Sequence, residues 1–337
     1  MTLICFKQRF ILKASYGHQA RIKFTDNSPD NISMNSLRPN RRTGLLAARI
    51  AVLCLTAWVK LGAQVLTAQD YNYIESYSTT GQDVGTFASS GLSNPSGMVF
   101  NSSGSCFVSN YGSGNIEEFS PNGVGTNFLS GFLDPNGLAI DQSNNLYVES
   151  ITGSPNGNEI TRITPSGAAS NLATVLGRQF FGIAVDNNDE IYASLLPSSG
   201  SSVIDEFSPT GVLNKVITTG GEFYGLAIGS NGNLYGADFE NNTIYDFSSN
   251  GVESIFATKG LNEPSGLAFD ASGNLFVANE GNNTITEYDS NGNESLFATT
   301  NSLAGPIAVA TPEPSSWALF LLGVIFVGVV TILKRVR

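Results

Sequence analysis

The side chains that could do chemistry in this 337-residue chain are, beyond its first 68 residues, almost all carboxylates and amides. The only histidine is His18, and of the three cysteines only Cys106 lies past residue 68. Residues 69–311 therefore hold no imidazole base, no His-ligated zinc, no Ser-His-Asp triad, no internal disulfide and no cysteine metal cluster. Oxygen chemistry remains. Asp134, Glu222 and Glu263, with Asn94, Arg178, Gln179 and Asn262, fall just before one set of short apolar runs. Glu149, Asp238 and Glu280, with Asn110, Glu240 and Asn279, fall at the ends of a second set. Oxygens converging from both sets could hold a hard cation such as Ca²⁺, which takes about six to eight of them. They could equally hydrogen-bond a sugar while Phe180, Phe181 or Tyr224 stacks on it.

The elements that would position these residues are repeats. The clearest unit is Leu261–Thr300, LNEPSGLAFDASGNLFVANEGNNTITEYDSNGNESLFATT. The glycine that opens its first apolar run recurs as Gly97, Gly137, Gly182, Gly225 and Gly266, at spacings of 40, 45, 43 and 41, and again 39 residues later at Gly305. Each unit holds four short strand signals. The first (GMVFN, GLAID, GIAVD, GLAIG, GLAFD) is nearly continuous in apolar residues, as expected of a strand buried on both faces. The second (CFVSN, NLYVES, EIYASL, NLYGAD, NLFVAN) follows a turn such as Asp270–Asn274, where Asp bonds backbone amides and Gly takes positive φ. The third alternates, as in Ile285–Tyr288, and a turn such as Ser290–Gly292 leads to the fourth. No stretch of residues 69–311 has the 3.6-residue apolar period of a helical solenoid.

Four antiparallel strands per 40 residues make one blade of a β-propeller. The pattern P-x-G-[LI]-A-[FIV]-D-x-x-G-N-[LI]-[FY]-V-[AS]-[ND], then N-x-I, resembles the NHL repeat. Residues 264–285 carry it almost completely, 95–116 and 135–160 well, and 180–204 and 223–244 in degenerate form. The expected fold is an all-β, six-bladed propeller: five full blades, and a sixth shared between Tyr73–Gly91 and Pro306–Ala310, with three strands. In this fold the turns entering the innermost strand and those between second and third strands share one face. That gathers Asp134, Glu149, Phe180, Glu222, Tyr224, Asp238, Glu263 and Glu280 at one mouth. The expected role is non-catalytic binding with no resident cofactor, Ca²⁺ at the mouth being the one ion the residues would suit. The six-bladed resemblance also implies an alternative, a divalent-metal lactonase of the gluconolactonase class, with Glu149 and Asp238 as ligands.

The ends carry targeting signals. Arg38, Arg41, Arg42 and Arg49 precede the apolar Ile50–Val59, with small residues at Ala63 and Ala68, in the order of a secretory signal peptide. Met34 begins a segment of normal length and the cut is left open between Ala63 and Ala68, so residues 1–68 read as extension and signal, the alternative being a short anchor helix that is never cleaved. At the other end, Pro312, Glu313 and Pro314 precede the uncharged run Trp317–Leu333 and the basic Lys334, Arg335 and Arg337. Seventeen residues at about 1.5 Å each reach roughly 25 Å, close to a hydrocarbon core, and the basic end stays cytoplasmic. Residues 312–337 resemble the PEP-CTERM sorting signal of Gram-negative-type bacteria, which implies an exosortase-type processing enzyme as partner. It also implies a membrane helix before cleavage and a cell-surface or extracellular destination, where a polysaccharide or a surface protein would be the ligand. Between the signals, residues 69–311 carry 25 acidic against four basic residues, a net of −21. Such a body repels nucleic acid. Sequons at Asn101, Asn241, Asn282 and Asn293 fit chance in an Asn- and Ser-rich chain.

Overall fold

The computed structural model describes residues 10–13, 21–24, 65–69, 72–152, 157–197, 202–218, 220–302 and 304–310. The chain divides into two units, Met1–Leu61 and Gly62–Arg337. In the first, Phe10–Lys13 pairs antiparallel with Arg21–Phe24. The second contains six antiparallel sheets of four strands each, the six blades of a propeller. The apolar segments Ile50–Val59 and Trp317–Leu333, read as helices from sequence, lie outside the described residues, as do Pro312, Glu313 and Pro314. Among the described residues no helix is long and apolar enough to cross a membrane.

The innermost strands are Pro95–Phe100, Leu138–Ile140, Arg178–Val185, Phe223–Ile228, Pro264–Phe269 and Ala304–Val309. Each touches the next, and the last touches the first, which closes the ring. The recurring glycine is what lets them approach. A Cβ on Gly182 would stand 2.5 Å from the Tyr224 carbonyl oxygen of the next blade, and one on Gly225 would stand 2.7 Å from that of Ser265. Any side chain there would push two inner strands apart. The glycine spacing is therefore the blade period itself.

Burial departs from the sequence reading in one respect. The innermost strands are only partly buried, since one edge of each faces the central shaft. The second strands Cys106–Asn110, Leu234–Asp238 and Leu275–Asn279 are buried at every residue. Hydrophobic side chains pack between blades: Tyr235 and Ala237 of one meet Leu267, Leu275 and Val277 of its neighbour. At the periphery every pairing of third and fourth strands carries an irregularity, as between Ile116 and Glu117 or Ile285 and Thr286. Such bulges twist the exposed outer edge and discourage pairing with another chain.

The closing blade differs from expectation. It has four strands in the order Ala304–Val309, Val65–Gln69, Tyr73–Tyr77 and Asp83–Ala88. Its second strand, VLTAQ, lies across the end of the segment that reads as signal peptide. Val65, Leu66, Thr67 and Ala68 are all buried, and Leu66 and Ala68 pack with Met98, Cys106 and Val108 of the first full blade. Backbone pairing explains why a strand must be there. Without it the outward edge of the Ala304–Val309 strand would leave a row of amides and carbonyls unpaired.

Candidate functional site

The mouth is built by backbone pairing between the two sets of turns. Tyr111 N–H donates to the Asn94 carbonyl, Phe239 N–H to that of Glu222, and Glu280 N–H to that of Glu263. The entry turns are tight: Asn94, Asp134 and Glu263 all adopt left-handed backbone, with φ of 51°, 45° and 51°. An asparagine of the preceding blade locks two of them. Asn72 Oδ1 accepts from Asn94 N–H at 2.7 Å and Asn242 Oδ1 from Glu263 N–H at 2.6 Å.

The residue ending the second strand holds the turn from the other side. Asn110 Oδ1 accepts from Ser93 N–H (3.0 Å) and Asn279 Oδ1 from Asn262 N–H (3.1 Å). Asp238 occupies the same position. It is fully buried; Oδ1 accepts from the N–H groups of Asn241 (3.1 Å) and Glu222 (3.4 Å), and Oδ2 from Asn241 Nδ2 (2.9 Å). The [ND] of the repeat pattern is thus a clasp, and both Asp238 oxygens are occupied by it.

Glu149 sits one residue earlier in its strand and faces a different neighbour. Its backbone N–H donates to the Gly137 carbonyl, and its side chain lies over Gly137 and beside Ile183 of the next blade. The equivalent positions hold Ser109, Ser194, Ala237 and Ala278, paired with the glycines of their own blades. Ser109 and Ser194 donate to next-blade carbonyls, of Asn136 at 2.6 Å and Phe223 at 2.7 Å. Glu149 is fully buried, and neither carboxylate oxygen has a well-formed hydrogen bond. Burial pushes its carboxyl well above the ordinary range, against the weaker pull of the Gly137 amide.

Phe180 is a core residue, 3 % exposed and packed with Ile183, Leu195 and Phe207, so it does not face the mouth. Its neighbour Phe181 does the stacking. Tyr224 stands against Phe181 and Phe239, ring centroids 4.5 Å away in each case, with planes tilted 38° and 30°. All three rings are partly exposed. Carboxylates surround them: burial and the charges of Glu222, Glu280 and Glu240 push the Tyr224 hydroxyl up. Burial, Glu240 and Asp238 likewise raise Glu222. The third, fourth and fifth full blades thus present an aromatic row in an acidic rim. Asp134 lies elsewhere, beside the Tyr111 hydroxyl in the first two blades, and Glu263 is exposed next to Gly281.

Phe239 was the member that sequence reasoning passed over. It follows the clasp residue, where the first and fifth full blades carry Tyr111 and Glu280, so its place at the mouth was readable from the repeat register. Among the described residues no three Asp, Glu, His or Cys side chains stand close enough to share a metal ion.

Residues 261–288 match the NHL repeat. No curated protein matches the chain. Among solved structures, virginiamycin B lyase from Staphylococcus aureus is similar at 16 % identity and TM-score 0.51, over 71 % of this chain and 85 % of the lyase. A protein of unknown function from Bacteroides caccae matches at 14 % identity and TM-score 0.58, over 74 % and 99 %. A gluconolactonase from Xanthomonas campestris matches at 16 % identity and TM-score 0.54, over 74 % and 84 %. At these identities the likeness is one of fold. The chain is a six-bladed β-propeller that carries an NHL repeat at residues 261–288.

Proposed function

We propose that this propeller is an exported binding module that works at the cell surface or in the extracellular matrix, sorted through its C-terminal tail by an exosortase-type enzyme. The observation that carries the binding role is the row Phe181–Tyr224–Phe239 in its rim of Glu222, Glu240 and Glu280. Flat rings offer the C–H faces of a sugar a surface to cover, and carboxylates accept from its hydroxyls. The ligand class that these groups suit best is a polysaccharide; a basic segment of a surface protein is the other polymer they would hold. The export reading rests on the residues of the two ends.

A second reading, a divalent-metal lactonase-like hydrolase, draws support from Glu149, a buried carboxylate with both oxygens uncommitted, and from the gluconolactonase-like fold. Its proposed second ligand, Asp238, already accepts three hydrogen bonds, so the residues as placed do not assemble around one ion.

A glycan array and a lactone and ester hydrolysis screen, on the full chain in detergent with and without Ca²⁺, separate the two readings. Glycan retention lost in Tyr224→Ala supports the first. Metal-dependent turnover abolished by Glu149→Ala overturns it. A blank array with no turnover moves the ligand from polysaccharide to protein. For the tail, a mature C-terminus near residues 312–316 by mass spectrometry supports processing; an intact Lys334–Arg337 end on the surface protein argues against it.

A further inference from the structure

A second feature, outside the mouth row, lies on the first full blade. The turn Gly91–Ser93, the Ser113–Asn115 turn and the outer strand Gly125–Ser130 border a shallow, open cleft of about 420 Å³. Its polar wall is made of Ser93, Ser113, Asn115, Glu117, Asn127 and Ser130.

The wall is a connected network with defined spare capacity. Asn115 is its centre: Nδ2 donates to Glu117 Oε2 (3.1 Å) and to Asn127 Oδ1 (3.0 Å). Its Oδ1 accepts from Ser113 Oγ (2.5 Å) and from Asn110 Nδ2 (3.2 Å). These bonds fix the orientation of both neighbours. Glu117, 7 % exposed, keeps Oε1 without a protein donor, directed over Gly91, where a Cβ would come within 2.7 Å. Asn127 keeps Nδ2 as a free donor, the Ser93 and Ser130 hydroxyls can donate or accept, and Ser113 Oγ, its proton given to Asn115, can accept. Burial raises the Glu117 carboxyl, against the pull of its Asn115 bond.

Comparison with the other blades shows that this opening is particular. At the position of Glu117 the fifth full blade has Thr286, whose hydroxyl donates to the Gly260 carbonyl at 2.7 Å and seals the corresponding turn. The closing blade has Glu75, with one oxygen bonded by Tyr77 and the other by Asn301, each at 2.6 Å. In the third full blade Asp205 Oδ2 is paired with Arg178 at 2.9 Å, and its Oδ1 is buried away from any opening. The first blade alone in this set leaves a carboxylate oxygen facing an open cleft beside a free amide donor.

A free acceptor and a free donor on cross-strand partners, Glu117 and Asn127, bridged by Asn115, suit a polyhydroxylated ligand whose hydroxyls both donate and accept. No cationic side chain lines the wall, so an anion has no counter-charge, and a single carboxylate does not make a metal site. We infer that this cleft on the first blade is a second ligand site, which takes a neutral, polyhydroxylated sugar unit. It stands independently of the mouth row, which is on other blades.

The test is saturation-transfer NMR of the full chain carrying Tyr224→Ala, which removes the mouth row, with maltotriose, cellotriose and laminaritriose at millimolar concentration. At least one of them is expected to give a transfer signal. Asn127→Trp, which fills the cleft from an exposed position, abolishes that signal. Glu117→Thr and Ser113→Ala each weaken binding, by roughly tenfold for the loss of the charged acceptor. Circular dichroism melts that match the parent chain exclude misfolding of Asn127→Trp, and Ser113→Ala is a second variant that leaves the core untouched. Absence of signal with all three sugars overturns the assignment. So does binding that survives when Asn127→Trp is added to the Tyr224→Ala chain.

Discussion

The carboxylate of Glu149 fills the space that a side chain at Gly137 would occupy: a Cβ built there would lie 2.3 Å from Glu149 Oε2. One glycine thus serves two ends, close passage of inner strands and room for a buried acid at a site where other blades hold serine or alanine.

Glu149 makes stability fall as pH rises. Its folded pKa is raised above the ordinary value of 4.5, so above that pH the unfolded chain releases a proton that the folded one retains. In the window from 4.5 up to the raised value, each pH unit removes about 1.4 kcal/mol. Glu149→Ser, the residue type of the first and third blades, removes that slope. Urea unfolding between pH 4.5 and 8 should show the variant gaining on the parent with rising pH; parallel curves would contradict the buried-acid account.

Asp238 is expected to behave as a clasp. Asp238→Asn, the residue found at this position in Asn110 and Asn279, should cost under about 1 kcal/mol, and Asp238→Ala about 1–3 kcal/mol by orphaning buried amides. Thermal unfolding checks this. A large binding or turnover defect in Asp238→Asn at unchanged stability would instead give the carboxylate charge a functional role.

The blade period should resist any side chain at the inner glycines. Gly182→Ala places a Cβ 2.5 Å from the Tyr224 carbonyl, and overpacking of this kind costs about 1–3 kcal/mol. A melting temperature within error of the parent would show that the ring can expand at no cost.

Tyr224→Ala should weaken ligand retention at the mouth by about tenfold or more, since two ring contacts of about 0.5–1.5 kcal/mol each organise the row. Loss of stability without loss of binding would make the row a packing feature.

The closing strand places a limit on N-terminal processing. A cut after Ala63 leaves Val65–Gln69 whole, whereas a cut after Ala68 removes its four buried residues Val65–Ala68. N-terminal sequencing of the exported protein should find the former, and a chain beginning at Gln69 should aggregate through its unpaired strand.

Sequence alone determined the architecture here, because a repeat writes its period into the chain. Glycines every 39 to 45 residues mark where inner strands pass, and Asp and Asn in the turns bond their own backbone over a few residues. Those are local rules, legible one unit at a time. Tertiary structure decided what depends on neighbours. It assigned VLTAQ to the ring, because a strand between residues 304–309 and 73–77 answers to backbone pairing across the chain's length, not to the small residues that suggest a cleavage site. It turned Phe180 inward and left Phe181 at the mouth, and it separated Glu149 from Asp238 by a one-residue difference in register. Glu75 Oε1 is bonded by Asn301, which lies 226 positions away, and only the closed ring brings the two together.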